Sequence, residues 1–409
     1  MATRGLRIPH RLLGPALDHA VAYPELGGEL PELLGNRGHW LAQQNPRWRP
    51  LVAIRDPALW RPATSEQGGH LLRTLLRRDP AQARALLRTY LPQESPGGQR
   101  AFINQLYPYL VPDDEPLLAP YLASPDPGLR ASAAQLLACI PGSALVEQLW
   151  TVAQPFLSLT VQAARGPELR VSLPSRWQPD WQALGLEQQA LHWGGGEAAS
   201  WLSQMLRLLP PDRWSTHWHV APRTLLQLAT RLPIGPDIIA GWRSATYWHQ
   251  QPEWALAFLE GHLTGSPATG ESTLTNRFIP GEQAAALILP CIPPGARLSD
   301  TPAPWQQALL SIQAPWPRAV QRQVMDLLED TLLDPPEGKW EEAGECIRTL
   351  VWFLEQEIDE ADQQEVAYRL HRLLTPKLPH QERIRWALKM IHLKIHLRRS
   401  LEEPPGSDD

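Results

Sequence analysis

Lysine is almost missing from this chain. Of its 409 residues only Lys339, Lys377, Lys389 and Lys394 carry an ammonium group, while arginine is plentiful. That imbalance reflects a GC-rich genome rather than any special guanidinium chemistry. The formal charge is −5, so no overall basic field draws the chain to nucleic acid. Cysteine is scarce as well. Cys139, Cys291 and Cys346 are far apart and odd in number, which excludes a disulfide framework and suits a reducing cytoplasm. Each reads as a small core residue rather than a reactive thiol. No apolar run reaches the roughly 18 residues that span a bilayer, so no membrane partner is expected. Residues 1–15 are basic but lack the apolar segment of a secretory signal.

The usual catalytic templates are missing too. No His-Glu-x-x-His or Cys-x-x-Cys occurs, and the histidines at 217, 219 and 249 do not have the spacing of three convergent zinc ligands. Gly194-Gly195-Gly196 precedes a helix but no Lys-Ser or Lys-Thr follows, which excludes a phosphate loop. There is no Gly-x-Ser-x-Gly, and no pair of buried carboxylates stands out. Asp113-Asp114-Glu115 and the acidic run 355–362 read as solvated helix ends and faces. These absences predict no catalytic residues, no metal and no cofactor.

What is present is an echo. Gly98-Gln99-Arg100-Ala101 followed by Gln105-Leu106 returns thirty residues later as Gly128-Leu129-Arg130-Ala131 followed by Gln135-Leu136. A period of that size marks stacked helical hairpins, none of which buries its apolar face alone. In the second copy Ser124-Pro125-Asp126-Pro127 supplies helix-start chemistry. Leu129, Ala133, Leu136, Leu137 and Ile140 then fall on one helical stripe, and Pro141-Gly142 stops the helix. The pattern of an Asp, an Arg four residues on, then small residues and leucines resembles a HEAT repeat. That resemblance implies that Asp126 and Arg130 form a structural pair between repeats.

Proline, at 43 residues, and tryptophan, at 18, are the compositional outliers. Tryptophans recur singly beside helix starts and loops, where a large ring wedges between helices. A groove for single-stranded nucleic acid would use the same rings but would need a basic lining, and the mid-chain tryptophans are not systematically paired with Arg. The 3.6-residue periodicity runs along the chain, broken by Pro and Gly. The expectation is therefore all-α: a HEAT-like α-solenoid of stacked hairpins with an irregular Pro/Trp-rich insertion. Its segments are 1–66 with the N-terminal helix and a Trp-rich motif, repeats over 67–153, the irregular connection 154–196, further repeats over 197–264, a linker at 265–280, a helical segment 281–400 and a disordered tail 401–409. At most a short strand or two is expected near 169–173, a stretch bounded by Pro167 and Pro174.

The Trp-rich motif is Arg37, Gly38, Trp40, Leu41, Ala42, Asn45, Pro46 and Trp48. Read as residues, Gly38 allows a sharp turn, Asn45-Pro46 makes a turn or cap, and Trp40 and Trp48 pack beneath; the sharper reading is a docking surface presented by Arg37 and Asn45. The string resembles the signature of a bacterial family carrying a helical-repeat domain of unknown function. The resemblance continues through 100–143, Gly196-Glu197-Ala198 with Trp201-Leu202, and Gly241-Trp242 with Trp254-Ala255. Members of that family are commonly encoded beside MoxR-type AAA+ ATPases, von Willebrand A-domain proteins and SWIM zinc-finger proteins, which implies a scaffold or adaptor role. Members also carry helices ahead of the motif, which implies that this chain lacks a cap or is an incomplete gene product.

The last helix is the one charged feature with order. Arg385, Lys389, His392, His396 and Arg399 are spaced four, three, four and three, aligning them on one face, while Ile384, Leu388, Ile391 and Ile395 line another. This reads first as a capping helix with a solvated basic face; the sharper readings are a contact for an acidic partner and, after it, for nucleic acid or an anionic membrane. The expected function is a non-enzymatic cytoplasmic scaffold for a protein partner such as a MoxR-type ATPase or von Willebrand A-domain protein. The alternative is a HEAT-like nucleic-acid-binding protein or an enzyme resembling the HEAT-like DNA glycosylases.

Overall fold

The computed structural model describes residues 7–22, 30–52, 69, 72–73, 75–77, 79–162, 166–189, 196–265, 279–298, 303–310, 312, 316–333, 344–357, 362–374 and 381–402. The chain is predominantly helical and divides into two compact units. The first holds Met1–Pro155, Leu173–His192 and Gly196–Leu209; the second holds Phe156–Ser172, Trp193–Gly195 and Pro210–Asp409.

The first unit opens on α1 (Leu13–Ala22), α2 (Leu30–Gln44) and α3 (Arg49–Val52). Their inward residues Leu13, Leu17, Ala20, Leu30, Leu34, Ala42 and Leu51 form a small core of their own. It continues through α4 (Pro80–Tyr90), α5 (Pro96–Asn104), α6 (Glu115–Leu118), α7 (Pro127–Cys139) and α8 (Ala144–Ala153), and ends on α9 (Glu197–Leu208).

Three of these helices begin with the same chemistry. Asp79, Ser95 and Asp126 each stand before a proline at the first helical position, and each side chain accepts a backbone N–H from the first turn: Gln82, Gly98 and Leu129, respectively. Proline costs nothing there, because its missing N–H would have had no partner, and the cap oxygen satisfies a donor that the helix cannot. The echoed helices α5 and α7 pack directly on each other. Leu129, Ala133, Leu136, Leu137 and Ile140 are all buried, as the spacing predicts. Each fully buried leucine contributes about 1.5–3 kcal/mol, so this stripe anchors the unit.

The return of the chain at 173–209 closes against α7 through small residues and rings. Gly185 has φ 79°, and a Cβ there would sit 2.1 Å from the Ala134 Cβ; only glycine serves both the left-handed turn and the close approach. Trp177, Trp181 and Trp201 meet edge to face, with ring centroids 5.4, 5.6 and 6.1 Å apart. These three are wedges, in the geometry aromatic rings prefer.

The second unit takes the hairpin β1 (Leu157–Gln162) and β2 (Gly166–Val171), antiparallel with Leu159 opposite Leu169. The short strand or two expected near 169–173 is this pair, with β2 ending at 171 and β1 lying upstream of it. A lone strand leaves its ladder groups unpaired, so β2 needs β1 beside it, although sequence spacing did not give the bounds of β1. There follow α10 (Asp212–Trp218), α11 (Pro222–Ala229), α12 (Gly235–Trp248), α13 (Pro252–Leu263), α14 (Gly281–Ile288), α15 (Pro304–Leu310), α16 (Arg318–Leu333), α17 (Gly344–Glu357), α18 (Gln363–Arg372) and α19 (Gln381–Glu402). One apolar core runs from Ala255 and Leu259 of α13 to Ile391 of α19. Trp214, Trp242, Trp254 and Trp316 are fully buried in this unit. The linker expected at 265–280 lies outside the described residues except for 265, 279 and 280, as does the tail beyond 402. No single helix among the described residues is long and apolar enough to cross a membrane.

Candidate functional site

The Trp-rich motif folds differently from its expected form. Gly38 lies inside α2 rather than at a turn, and a Cβ there would stand 2.7 Å from the Leu34 Cβ and 3.0 Å from Leu13. Its role is to let α1 and α2 approach closely. The break in the helix falls at Gly35, with φ 62°. The turn expected at Asn45-Pro46 is present: the Asn45 side chain accepts the Arg47 N–H, and its carbonyl accepts from Trp48 and Arg49. Trp48 packs against the N-terminal core and donates its indole N–H to Asp18 at 2.9 Å. Trp40 does not pack beneath; it is 60% exposed, because its position on α2 faces away from α1. Arg37 is exposed and its Nη1 donates to His10 Nδ1 at 3.3 Å.

The Asp126–Arg130 pair does not form. Asp126 is spent as a helix cap on Leu129, which turns its carboxylate along the helix axis. Arg130 instead donates to Glu187 Oε1 at 2.6 Å and to the carbonyls of Ser124 and Pro125. An equivalent latch stands earlier. Arg84 of α4 donates from Nε and Nη2 to the Asp114 carboxylate at 2.7 and 3.0 Å, and from Nη2 to the Tyr109 carbonyl at 2.7 Å. Asp114 is 0% exposed, and its bonds hold Arg84 above the ordinary arginine value. Asp114 was read as a solvated helix end; a carboxylate reaching a guanidinium thirty residues upstream carries no local signal. Arg207 of α9 is the contrast, since its buried Nε has no hydrogen-bond partner among the described residues and desolvation pushes its guanidinium down.

Groups able to do chemistry are dispersed. Among the described residues no three His, Cys, Asp or Glu side chains converge on a metal-sized site. His217 and His219 lie at the end of α10, where His219 takes the left-handed conformation that ends the helix. Burial pushes the Cys139 thiol up to about 12, which keeps it protonated and poorly nucleophilic. A cleft of about 200 Å³ opens between α11, α12 and α13. Arg223, Gln227, Thr230, Glu260 and Thr264 rim it above Leu226, Ile239 and Ala257. Arg223 donates to Glu260 at 2.5 Å across the rim. Its volume falls below the roughly 300 Å³ at which small-molecule pockets begin.

The C-terminal helix keeps its expected division. Ile384, Leu388 and Ile391 of α19 are buried, Ile395 is partly buried, and Ala387 joins them. That stripe packs on α17 and α18. Arg385, Lys389, His392 and His396 face solvent; the Arg399 side chain lies outside the described residues. Among the described residues Arg385 bonds the neutral Gln381 amide oxygen, at 2.9 Å. No carboxylate among the described residues pairs with Arg385 or Lys389. Two features were not read from the sequence. Trp386 and Leu393, on the same helix, are 51% and 48% exposed, and Tyr368 on the adjacent α18 is 66% exposed. Residues 363–402 also hold nine Lys or Arg against three Asp or Glu, a local excess within a net-acidic chain. Both features can be found by counting: the excess in a forty-residue window, and Trp386 and Leu393 as apolar positions left over once the inner stripe is assigned.

The geometry is that of a predominantly helical protein with two buried arginine latches, no metal-sized cluster of His, Cys, Asp or Glu among the described residues, and exposed basic and aromatic side chains on its last helix. No curated protein matches the chain. Residues 1–403 match the model of a family described as Family of unknown function (DUF5691), and the chain belongs to that family.

Proposed function

We propose that this protein is a non-enzymatic scaffold or adaptor built from HEAT-like helical repeats in a solenoid arrangement. It binds a protein partner, the best candidates being a MoxR-type AAA+ ATPase or a von Willebrand A-domain protein. The observation that carries this reading is the fate of the buried arginines. Arg84 and Arg130 sit five and four residues after their helix caps and are consumed in holding successive helices together. Buried charge spent on architecture leaves an extended surface, and a surface of that kind serves binding. Affinity purification of the tagged full chain from its host, with cross-linking and mass spectrometry, tests it. Reciprocal capture of one such partner is the expected result. Turnover by the purified chain that disappears on Glu260→Gln would overturn the non-enzymatic reading.

Nucleic-acid binding, including a HEAT-like glycosylase, is the second reading, and the cationic excess over 363–402 is the observation that favours it. It requires affinity that falls steeply with salt, and for a glycosylase, excision of a modified base. The net charge of −5 over the whole chain speaks against it.

A further inference from the structure

We infer that the outer face of α19 is a docking site for an acidic amphipathic helix of a protein partner. This inference rests on the scaffold reading and names its surface. At 3.6 residues per turn the helix carries three stripes. Ile384, Leu388 and Ile391 face the core. Arg385, Lys389 and His392 form a stripe turned to water. Trp386 and Leu393, two turns apart, form a third stripe beside the cations, about 10 Å from one to the other along the axis. A capping helix with no further task would place polar side chains at those two positions. Instead two large apolar groups are exposed beside Arg385 and Lys389, which no carboxylate among the described residues neutralises.

The chemistry of the occupant follows from complementarity. Apolar residues at i and i+7 would cover Trp386 and Leu393, and carboxylates on the neighbouring face would reach Arg385 and Lys389. Trp and Arg are the residues that most often dominate binding energy once water is excluded around them. The site spans about 16 Å from Arg385 to His396, or three turns, which a short partner helix matches. A symmetric pairing with a second copy would set cation against cation, since a twofold interface brings the same patch to itself. An anionic membrane fits less well: the inner stripe is already occupied by the protein core, leaving two large apolar residues to insert where a surface helix needs a whole face. A nucleic acid would use the cations but leave Leu393 without a partner.

The test uses the full chain and a fluorescein-labelled synthetic helix with leucines at i, i+3 and i+7 and glutamates on the adjoining face. Saturable binding is expected, weakened about tenfold by Trp386→Ala and by Lys389→Glu, with melting transitions unchanged for both variants. Trp40→Ala, on α2, leaves the affinity as it was. A scrambled peptide of the same composition that binds equally well overturns the inference, because charge alone would then suffice. Tighter binding to single-stranded DNA or to phosphatidylserine vesicles than to the helix overturns it as well. The two readings fail separately. A host partner retained equally by the wild type and by Trp386→Ala removes the α19 site and leaves the scaffold. Peptide binding without any specific host partner keeps the α19 site and removes the scaffold.

Discussion

Arginines in the middle of the first unit and basic residues at the end of the second have opposite fates. Arg84 and Arg130 are turned inward and saturated with acceptors, Asp114 and Tyr109 for one, Glu187, Ser124 and Pro125 for the other. Arg385 and Lys389 stand in water beside exposed apolar side chains. Residue type does not separate the two groups; their surroundings do. Arg84 and Arg130 enter the core where a carboxylate and free carbonyls meet them, since an uncompensated charge is costly to bury. Arg207, whose buried Nε has no partner among the described residues, is the exception, while Arg385 and Lys389 keep their charge in water. The C-terminal part also shows an intermediate case. Arg369 of α18 spans Asp326 at 2.6 Å and Glu329 at 2.9 Å on α16, an ion-pair bridge between helices at the edge of the core.

The largest effect expected is that of Arg84→Ala. It leaves the fully buried Asp114 carboxylate without its partner, at a cost of about 3–5 kcal/mol, measurable by denaturant titration. A loss below about 1 kcal/mol would break the comparison, because Arg84 would then be no more committed than a surface residue. Gly185→Ala is next. It forces a side chain into a left-handed turn and against Ala134, for about 2–4 kcal/mol, and thermal unfolding reads the loss. Arg130→Ala should cost about 2–3 kcal/mol, less than Arg84→Ala, because Glu187 keeps 26% of its side chain in water. Equal losses at the two arginines would show that burial of the acid does not set the scale.

Acidification probes the intermediate case. The Arg369 guanidinium holds the Glu329 carboxyl below the usual range. A depressed carboxyl contributes stability that is present above its unfolded value, about 4.3, and lost as pH falls through the folded value. Wild type and Glu329→Gln should therefore differ by up to about 1 kcal/mol at neutral pH, and the difference should close below about pH 4. The smallest effect belongs to Trp386→Ala, whose exposed ring should leave stability within about 0.5 kcal/mol. A large loss there would make Trp386 a core residue and bring the two regions together.

Local chemistry in the chain determined much of this. Cap-proline pairs at Asp79-Pro80, Ser95-Pro96 and Asp126-Pro127 start helices because cap and proline act within one turn. The stripes of α7 and α19 are set by the helical period, which was enough to place Leu129, Ala133, Leu136, Leu137 and Ile140 inside and Arg385, Lys389, His392 and His396 outside. What only the tertiary structure decided lies between segments. Arg130 was assigned to Asp126 from a spacing of four residues, but a carboxylate that caps its own helix points along the axis, and Glu187, 57 residues on, took its place. Asp114 looked solvated in its acidic run and is buried because Arg84 reaches it from thirty residues upstream. Gly38 was expected at a turn, yet the turn glycine is Gly185. One is a helical contact against Leu34, the other a left-handed turn against Ala134, because what a glycine is for depends on the surface brought against it. Trp40 looks like every other tryptophan in the sequence. Its exposure was settled by which side of α2 the neighbouring helices left uncovered.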